Sequence, residues 1–187
     1  MTPRALVVYA TKKGSTREVA EAIAERLEEH GLRTVVQPAS DHVDLAAFDA
    51  VVLGGALYTG RWHHDARRFL RRHRRALQTM PVGVFAMGPS TTAEDAMAGS
   101  LAQLERALGR VPDVTPVAVS IFGGVIDPAR LRFPFNRMPP TDARDWDAIT
   151  AWADEVAGQV SPDALTEQRT AGVEPSAADE AGRRVSG

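Results

Sequence analysis

Cysteine is absent from the 187 residues of this sequence. Without thiols, the protein has no disulfides, no thiolate metal ligands, no cysteine nucleophile and no cysteine-bound iron–sulfur cluster. Any redox chemistry that it performs therefore needs a bound cofactor.

Long apolar runs and a strong net charge are also missing. No window approaches the roughly 20 apolar residues of a membrane-spanning helix, and the N-terminus enters an apolar run without the basic region and cleavage site of a signal peptide. The net charge of −2 argues against general nucleic-acid binding. We therefore expect a cytoplasmic protein, and the chain length favours a single domain.

Five apolar segments rich in β-branched residues predict strands near residues 4–10, 33–37, 49–58, 81–87 and 116–122. Helical patterns near residues 15–30, 64–77, 92–108 and 142–160 separate most of them; only the link between the second and third strands is doubtful. Parallel strands need crossover connections, and helices of this length supply them. The alternation predicts an α/β fold, a doubly wound parallel sheet of five strands in the order 2-1-3-4-5 with helices on both faces.

The predicted domain comprises residues 1–161. The remaining segment, 162–187, is rich in Ala, Glu, Ser, Gly and Arg and has few large apolar residues. Such a segment buries too little surface to offset the entropy lost on ordering, so we predict a disordered tail.

The loop between the first strand and the first helix is suited to bind an anion. Ligands of open parallel sheets bind beyond the carboxyl ends of the strands. Gly14 permits a tight turn, and the helix that follows directs its first amides and its positive dipole end outward. The pattern predicts a phosphate site, although Gly14 and Ser15 would equally form a plain turn and helix cap, with Glu18 completing a capping box. Further donors are the side chains of Thr11, Lys12, Lys13, Ser15 and Thr16.

Two other predicted strands end in similar sequences, "GGALYTGRW" and "AMGPSTT". The carboxyl ends of parallel strands meet at one edge of the sheet, so the three segments should converge. Leu57, Tyr58 and Trp62 offer flat apolar surface suited to an aromatic ring system. A phosphate site beside a planar slot suggests a mononucleotide.

The segment "YATKKGSTREVAEAIAERL" resembles the N-terminal signature of flavodoxin-like FMN proteins, with Thr11, Gly14, Ser15 and Thr16 at the positions of their phosphate loop. Later segments resemble the menaquinone-dependent protoporphyrinogen IX dehydrogenase branch of that superfamily. In order, these are "VVLGGALYTGRWHHDARRFLRRHRRAL", "MPVGVFAMGP", "FGGVIDPARLRFPF" and "DWDAITAWADEVA". The resemblance covers about residues 4–160.

The resemblance implies a flavodoxin-like fold with FMN as the cofactor. It implies that the FMN phosphate is held by Thr11, Lys12, Lys13, Gly14, Ser15 and Thr16. The isoalloxazine would lie between two loops, with a third loop closing one side. The residues of these loops are Ala56, Leu57, Tyr58, Thr59, Gly60, Met87, Gly88, Pro89, Ser90, Phe122, Gly123 and Gly124. Tyr58 and Trp62 are candidates for contact with the ring, and either would equally pack beneath its loop.

The run "RWHHDARRFLRRHRR", from Arg61 to Arg75, departs from the acidic surfaces of ordinary flavodoxins. On a helix, much of one face would be shared by Arg67, Arg71, Arg74 and Arg75. Such a face would attract a propionate-bearing tetrapyrrole, an anionic membrane surface or an acidic partner. The plain alternative is a solvated face balanced by carboxylates elsewhere. The histidines of this run lie among arginines, which argues against a metal site.

The segment 123–142 contains four prolines together with apolar side chains that a solvated loop does not need. Long loops in compact domains are often functional lids. The resemblance implies that this loop helps to form the substrate or quinone site, with arginines available for a carboxylate. The predicted substrate-binding residues are Trp62, Arg130, Arg132, Phe133 and Arg137. Alternatively, the apolar residues cover a sheet edge or a subunit contact in a homo-oligomer.

The resemblance implies an FMN-dependent oxidoreductase of heme biosynthesis that passes electrons from protoporphyrinogen IX through FMN to menaquinone. No residue stands out as a catalytic acid or base. The Arg67 to Arg75 face would provide a peripheral contact with the inner face of the plasma membrane, where the quinone is dissolved. The rival hypotheses are a flavodoxin-type electron carrier without its own organic substrate and a family member with a different substrate or oxidant.

Overall fold

A parallel sheet of five strands forms the centre of the structure, a computed structural model that describes residues 2–130, 132–133, 135–161 and 164–165. In chain order, the strands are β1 (Arg4–Ala10), β2 (Arg33–Pro38), β3 (Ala50–Tyr58), the short β4 (Arg61–Trp62), β5 (Val82–Met87) and β6 (Ala118–Phe122). Their order across the sheet is β2-β1-β3-β5-β6, and β4 pairs antiparallel with the end of β3. With β4 set aside, this is the predicted order 2-1-3-4-5.

Up to Ser161, the described chain has four α-helices, which cover the two faces of the sheet. One face carries α1 (Ser15–Glu29) and α4 (Trp146–Gln159), and the other carries α2 (His64–Leu77) and α3 (Glu94–Leu108). Because side chains alternate along a strand, Val7 packs towards α1 and α4, whereas Leu6 and Val8 pack towards α2 and α3. All three side chains are fully buried, and each contributes about 1.5–3 kcal/mol by its burial. The predicted doubly wound α/β fold is confirmed.

Ion pairs join the exposed edges of α1 and α4. Arg26 Nε donates to Asp154 Oδ1 at 2.6 Å, and His30 Nε2 lies 2.6 Å from the same oxygen. Hydrogen bonding from Arg26, and secondarily from His30, lowers the pKa of Asp154 from 3.8 to about 2.

The last helix begins later than the sequence pattern predicts. A start at Asp142 is wrong, because α4 begins at Trp146. Asp145 Oδ1 accepts the backbone N–H of Ala148 at 3.0 Å and so caps the helix at this point. The doubtful link between β2 and β3 contains a 3-10 turn, Leu45–Ala47, in place of a crossover α-helix.

The segment 123–142, between β6 and α4, leaves the sheet and returns to it, and we call it the excursion. Its two ends pair as antiparallel strands, β7 (Val125–Ile126) with β8 (Thr141–Asp142). Two 3-10 turns lie between them, Pro128–Arg130 and Phe135–Arg137. The backbone N–H of Ala143 donates to the carbonyl of Gly124 at 3.1 Å and closes the base of the excursion.

Gly54, in the middle of β3, makes room for an aromatic ring. A Cβ atom at this position would lie 2.0 Å from Cζ of Phe85. Phe85 is fully buried, and its ring centre lies 5.7 Å from that of Phe122 and 5.9 Å from that of Trp152. Because these rings enclose it, Phe85 cannot move aside for a larger residue at position 54.

None of the helices in the described ranges is long and apolar enough to cross a membrane. Of the predicted tail, 162–187, only Ala164 and Leu165 are described, and Leu165 is buried. The other residues of that segment lie outside the described residues, so the domain boundary and the disordered tail stay predictions.

Candidate functional site

The loop that joins β1 to α1, with the first turn of the helix, comprises residues 11–16, and we call it the opening loop. The backbone N–H groups of Lys13 and Gly14 donate to Thr11 Oγ1 at 3.2 and 3.0 Å and hold the loop in a tight arc. Gly14 is the N-cap of α1, in a left-handed conformation (φ 92°) that costs other residues about 1–2 kcal/mol. Within the described chain, no side chain caps α1, so the predicted box of Ser15 and Glu18 is wrong. The first amides of α1 are left to an external acceptor.

Thr16 offers a polar atom to which the protein gives no partner. Its side chain lies fully buried in the first turn of α1, and Oγ1 has no hydrogen-bond partner among the described residues. A buried hydroxyl without a partner costs about 1–3 kcal/mol. A phosphate oxygen bound at the predicted site would supply the acceptor.

Tyr58 ties the opening loop to the end of β3. The backbone N–H of Lys12 donates to the Tyr58 hydroxyl at 3.4 Å, and Lys12 Nζ lies 5.4 Å from the centre of the tyrosine ring. The sequence has no lysine other than Lys12 and Lys13, so both of its lysines lie in the opening loop. Two of the three predicted strand ends are therefore in direct contact.

The end of β3 turns back on itself in a hairpin that the sequence analysis did not anticipate. Thr59 and Gly60 both have positive φ, 46° and 76°, as in a two-residue type I′ turn. Tyr58 and Arg61 pair across the turn. The available signal was the glycine at its second position, because glycine adopts positive φ without strain.

Trp62, predicted to contact the substrate, is buried instead. Only 1% of the residue is exposed, and its Nε1 donates to the carbonyl of Gly55 at 3.0 Å. A Cβ atom at Gly55 would lie 2.6 Å from that nitrogen, so the indole packs directly against β3. The hairpin folds Trp62 beneath its own strand, which removes it from the candidate ligand contacts. Tyr58 remains half-buried at the edge of the sheet.

His63 caps α2 at the point where that helix meets the site. Its Nδ1 accepts the backbone N–H of Asp65 at 3.2 Å, and its ring centre is 6.0 Å from that of Tyr58. Burial lowers the pKa of His63, the charge of Asp65 opposes this effect, and Lys12 adds to it. The imidazole is therefore neutral at pH 7. Potential metal-ligand atoms of His63, His64 and Asp65 lie within 4.8 Å of one another. Nδ1 of His63, however, already accepts the hydrogen bond that caps α2. The prediction of no metal stays untested.

The loops after β5 and β6 hold each other through their backbones. Gly88 N–H donates to the carbonyl of Phe122, and Gly124 N–H donates to that of Pro89, both at 2.7 Å. The side chains of Met87 and Phe122 are buried in the core, 2% and 3% exposed. Both were predicted to contact the cofactor; because their side chains are buried, we expect any contact at these positions to come from the backbone.

Of the other predicted cofactor contacts, some are buried and some are accessible. A Cβ atom at Gly123 would lie 1.8 Å from the carbonyl oxygen of Ala143, so the returning chain covers this glycine. Gly124 and Ala56 are also buried, whereas Ser90 is half-buried beside Pro89. The accessible part of the predicted slot is therefore narrower than the sequence suggested.

A cavity of about 380 Å³ lies between the opening loop and the excursion, and sequence analysis missed it. Lys13 and Ser15 line one side, and Ile126 and Asp142 line the other. Its volume is within the range of small-ligand pockets.

Arg144 joins the two walls of this cavity through ion pairs. Its guanidinium pairs with Asp142 at 2.6 Å and also with Glu18 in α1. Hydrogen bonding from Arg144 lowers the pKa of Asp142, which keeps this carboxylate ionised. The excursion is therefore anchored to the helix that follows the opening loop.

The predicted substrate contacts of the excursion lie at the surface. Phe133 is 71% exposed, and Arg137 Cζ lies 5.3 Å from the centre of its ring. Met138 and Arg132 are also exposed, so Phe133 and Met138 do not cover a sheet edge. The side chain of Arg130 lies outside the described residues. Substrate binding by these side chains stays a prediction.

From His64 onward, the arginine-rich run forms α2, as the helical pattern predicts. Phe69 and Leu70 bury its apolar face against the sheet, while Arg71 and Arg75 are exposed. Across the described ranges, no carboxylate pairs with the arginines of this helix. The exposed arginines are compatible with the plain alternative of a solvated face as well as with a binding face, and the role of this face stays a prediction.

The reversal of strand order between β1 and β3, with an anion-binding loop at that edge, defines a doubly wound α/β protein of the mononucleotide-binding class. The sequence profile described as Flavodoxin domain matches residues 6–138. The chain belongs to this flavodoxin family, and family membership implies FMN as its cofactor and oxidoreductase-type chemistry.

Among characterised relatives, Protoporphyrinogen IX dehydrogenase [quinone] of Escherichia coli strain K12 is 27% identical over 86 residues. The match covers 45% of this chain and 48% of that protein. The proteins of the same name from strain CFT073 and from Escherichia coli O157:H7 match equally. The chain thus spans about half the length of these relatives.

Solved structures of flavodoxins share the fold. A cysteine-to-alanine mutant of the flavodoxin from Pseudomonas aeruginosa superposes with a TM-score of 0.54 at 21% identity, covering 84% of this chain and 98% of that one. Oxidised flavodoxin 1 from Bacillus cereus gives a TM-score of 0.54 at 15% identity, covering 84% and 99%. At these identities the likeness establishes the fold alone.

The residues present fit FMN at its phosphate end. The opening loop combines an orphaned buried hydroxyl, Thr16 Oγ1, with helix amides that no side chain caps and with two lysines. A phosphate dianion is the ligand that such donors favour. The half-buried Tyr58, joined to the same loop, gives the neighbouring flat surface.

Proposed function

We propose that the protein is an FMN-dependent dehydrogenase that oxidises protoporphyrinogen IX to protoporphyrin IX in three two-electron steps, each of which reduces one menaquinone to its quinol. The partial match to Protoporphyrinogen IX dehydrogenase [quinone] carries this proposal. Bound FMN supplies the exchange of reducing equivalents between the organic donor and the quinone. The residues of this chain bind the cofactor, orient the donor and restrict its approach.

In this proposal, the opening loop holds the phosphate of FMN. Thr16 Oγ1 and the first amides of α1 would donate to its oxygens, and Lys12 and Lys13 would offset its charge. Tyr58 and the backbones at Gly88 to Ser90 would hold the isoalloxazine. His63 remains neutral beneath Tyr58, so it adds no charge to the ring environment.

The excursion provides the donor site. A porphyrinogen has a large apolar body and two propionates, and Phe133 with Arg137 combines an exposed ring with a guanidinium in contact with it. Such a pair offers an apolar surface and an anion-binding group side by side. Arg144 anchors the base of the excursion to α1, the helix that follows the opening loop.

The exposed arginines of α2 provide the approach to the quinone. A cationic helix face attracts anionic lipid headgroups, in whose bilayer menaquinone is dissolved. Binding to anionic vesicles that weakens with added salt would support this contact, and equal binding to zwitterionic vesicles would contradict it.

Anaerobic mixing of the FMN-loaded protein with protoporphyrinogen IX tests the proposal. We expect the absorbance of oxidised flavin to bleach as porphyrin fluorescence appears, and menaquinone to restore the absorbance. Flavin that binds but stays oxidised would contradict a dehydrogenase of this substrate.

Variants of exposed apolar residues locate the donor site. Phe133→Ala should raise the KM for the porphyrinogen and leave the Kd of FMN unchanged, because the side chain is outside the core. Leu101→Ala, an exposed apolar residue on α3, is the matched control and should change neither quantity. Equal effects of the two variants would remove the excursion from the donor site.

The second candidate is a flavodoxin-type electron carrier with no organic substrate of its own. It is favoured by the solved flavodoxins, because the shared fold covers almost their whole length. Reduction of the bound flavin by a flavodoxin reductase, with no reaction with porphyrinogen, would favour this candidate.

A further inference from the structure

A second cavity, of about 300 Å³, lies between the β3–β4 hairpin, α2 and α3. Four arginines line it: Arg61 from the hairpin, Arg67 from α2, and Arg106 and Arg110 from α3 and the turn after it. No carboxylate is among the described lining residues. Three separate parts of the chain thus bring the same charged group to one concave surface.

These charges have no internal compensation in the described part of the chain. The four guanidinium groups form neither ion pairs nor side-chain hydrogen bonds there. Nε of Arg67 is buried without an acceptor, which is a costly state for a charged donor. Repulsion among like charges in a partly enclosed space adds to this cost.

The cavity differs from an ordinary solvated arginine face. On the outer side of α2, Arg71 and Arg75 extend into solvent, where water satisfies their donors. Arg67 lies on the inner side and is half-buried. The amide of Gln103 lies close to the hairpin, with its nitrogen 4.0 Å from where a Cβ atom on Gly60 would be. Arg67 therefore needs a bound acceptor that the outer arginines do not need, and the exposed Arg61, Arg106 and Arg110 line the same cavity, where they can share that acceptor.

We propose that this cavity binds a multiply charged oxyanion group of a small ligand, a phosphate or a cluster of carboxylates. Guanidinium groups bind both in a bidentate manner, which satisfies several N–H donors with each contact. The volume is at the lower end for ligand pockets, so it accommodates a compact group. This site is separate from the opening loop, and it does not depend on which donor reduces the flavin.

The test uses the full chain saturated with FMN. Calorimetric titration with inorganic phosphate and with citrate, at constant ionic strength set by chloride, measures binding. The variant Arg106→Gln/Arg110→Gln removes two walls of the cavity, and Arg71→Gln/Arg75→Gln removes the same charge from the outer face of α2. We expect the first variant to weaken binding at least about tenfold and the second to leave it within about twofold.

A second readout needs no bound anion. Relief of repulsion should raise the melting temperature of Arg106→Gln/Arg110→Gln above that of the wild type in chloride alone, and phosphate should raise that of the wild type only. Vesicles of phosphatidylglycerol and of phosphatidylcholine show whether the anion belongs to a lipid or to a soluble ligand. Binding to phosphatidylglycerol vesicles alone that is lost in Arg106→Gln/Arg110→Gln would assign a lipid headgroup. Binding of free anions that is lost in the same variant would assign a soluble ligand. Absence of saturable binding of both the free anions and the phosphatidylglycerol vesicles, or equal loss of free-anion binding in both double variants, would overturn the site.

Discussion

Replacement of Thr16 by valine should have opposite effects on the ligand-free protein and on cofactor binding. Valine matches the shape of threonine and removes the hydroxyl that has no partner among the described residues. Removing a buried unsatisfied polar group recovers part of its cost of about 1–3 kcal/mol. We expect the ligand-free variant to be more stable than the wild type by about 1 kcal/mol, measured by urea unfolding.

The same substitution should weaken FMN binding. A hydrogen bond to a charged phosphate contributes about 1.5–3 kcal/mol, and each 1.4 kcal/mol corresponds to about a factor of ten in Kd. The Kd for FMN, measured by quenching of flavin fluorescence, should therefore rise roughly 10- to 100-fold. Riboflavin, which lacks the phosphate, should bind the variant and the wild type equally.

Thr16→Ser is the matched control, because it keeps the hydroxyl and removes one buried methyl group. It should retain FMN affinity and lose about 1 kcal/mol of stability. If Thr16→Val destabilises the ligand-free protein by more than about 1 kcal/mol, the hydroxyl has an internal role. If FMN and riboflavin weaken in parallel, Thr16 does not contact the phosphate.

Three further predictions follow from packing and from pKa. Gly54→Ala should lower the free energy of unfolding in urea by about 3 kcal/mol, because its methyl group meets the enclosed Phe85 ring. Adding Phe85→Leu should restore part of this stability. A loss below about 1 kcal/mol for Gly54→Ala would contradict the packing. Because the folded pKa of His63 lies below 6.5, the unfolded state binds more protons, so thermal stability should fall as pH drops below 6.5, and this fall should be smaller in His63→Gln. Because the folded pKa of Asp154 is about 2 and its ordinary value is 3.8, its stabilisation should be present above pH 4 and disappear towards pH 2; an unchanged acid profile in Asp154→Asn would argue against it.

The central architecture is predictable from sequence because each element carries a local signal. β1 reads as a continuous apolar run, and Leu6, Val7 and Val8 are all buried between two helical layers. The helical spacing of Val19, Ile23 and Leu27 likewise matches the buried face of α1. Such signals require no knowledge of distant residues.

The details of the site depend on contacts that are distant in sequence. Arg144 pairs with Glu18 across 126 positions, and no local pattern connects them. Whether an aromatic at a strand end faces a ligand or the core depends on register, since a shift of one residue exchanges the two faces. For this reason Phe122 and Trp62, both predicted to lie near a ligand, are core residues.

The excursion departs from the sheet and rejoins it at nearly the same point, where Gly123 and Gly124 meet Ala143. The length of chain between these positions has little influence on the sheet, because doubling a flexible loop costs only about 0.6 kcal/mol in closure entropy. Insertions, deletions and wholesale exchange between 127 and 140 should therefore be tolerated during evolution and in protein engineering. If the excursion binds the donor as proposed, exchange of this one segment would let the family acquire new donors without redesign of the fold.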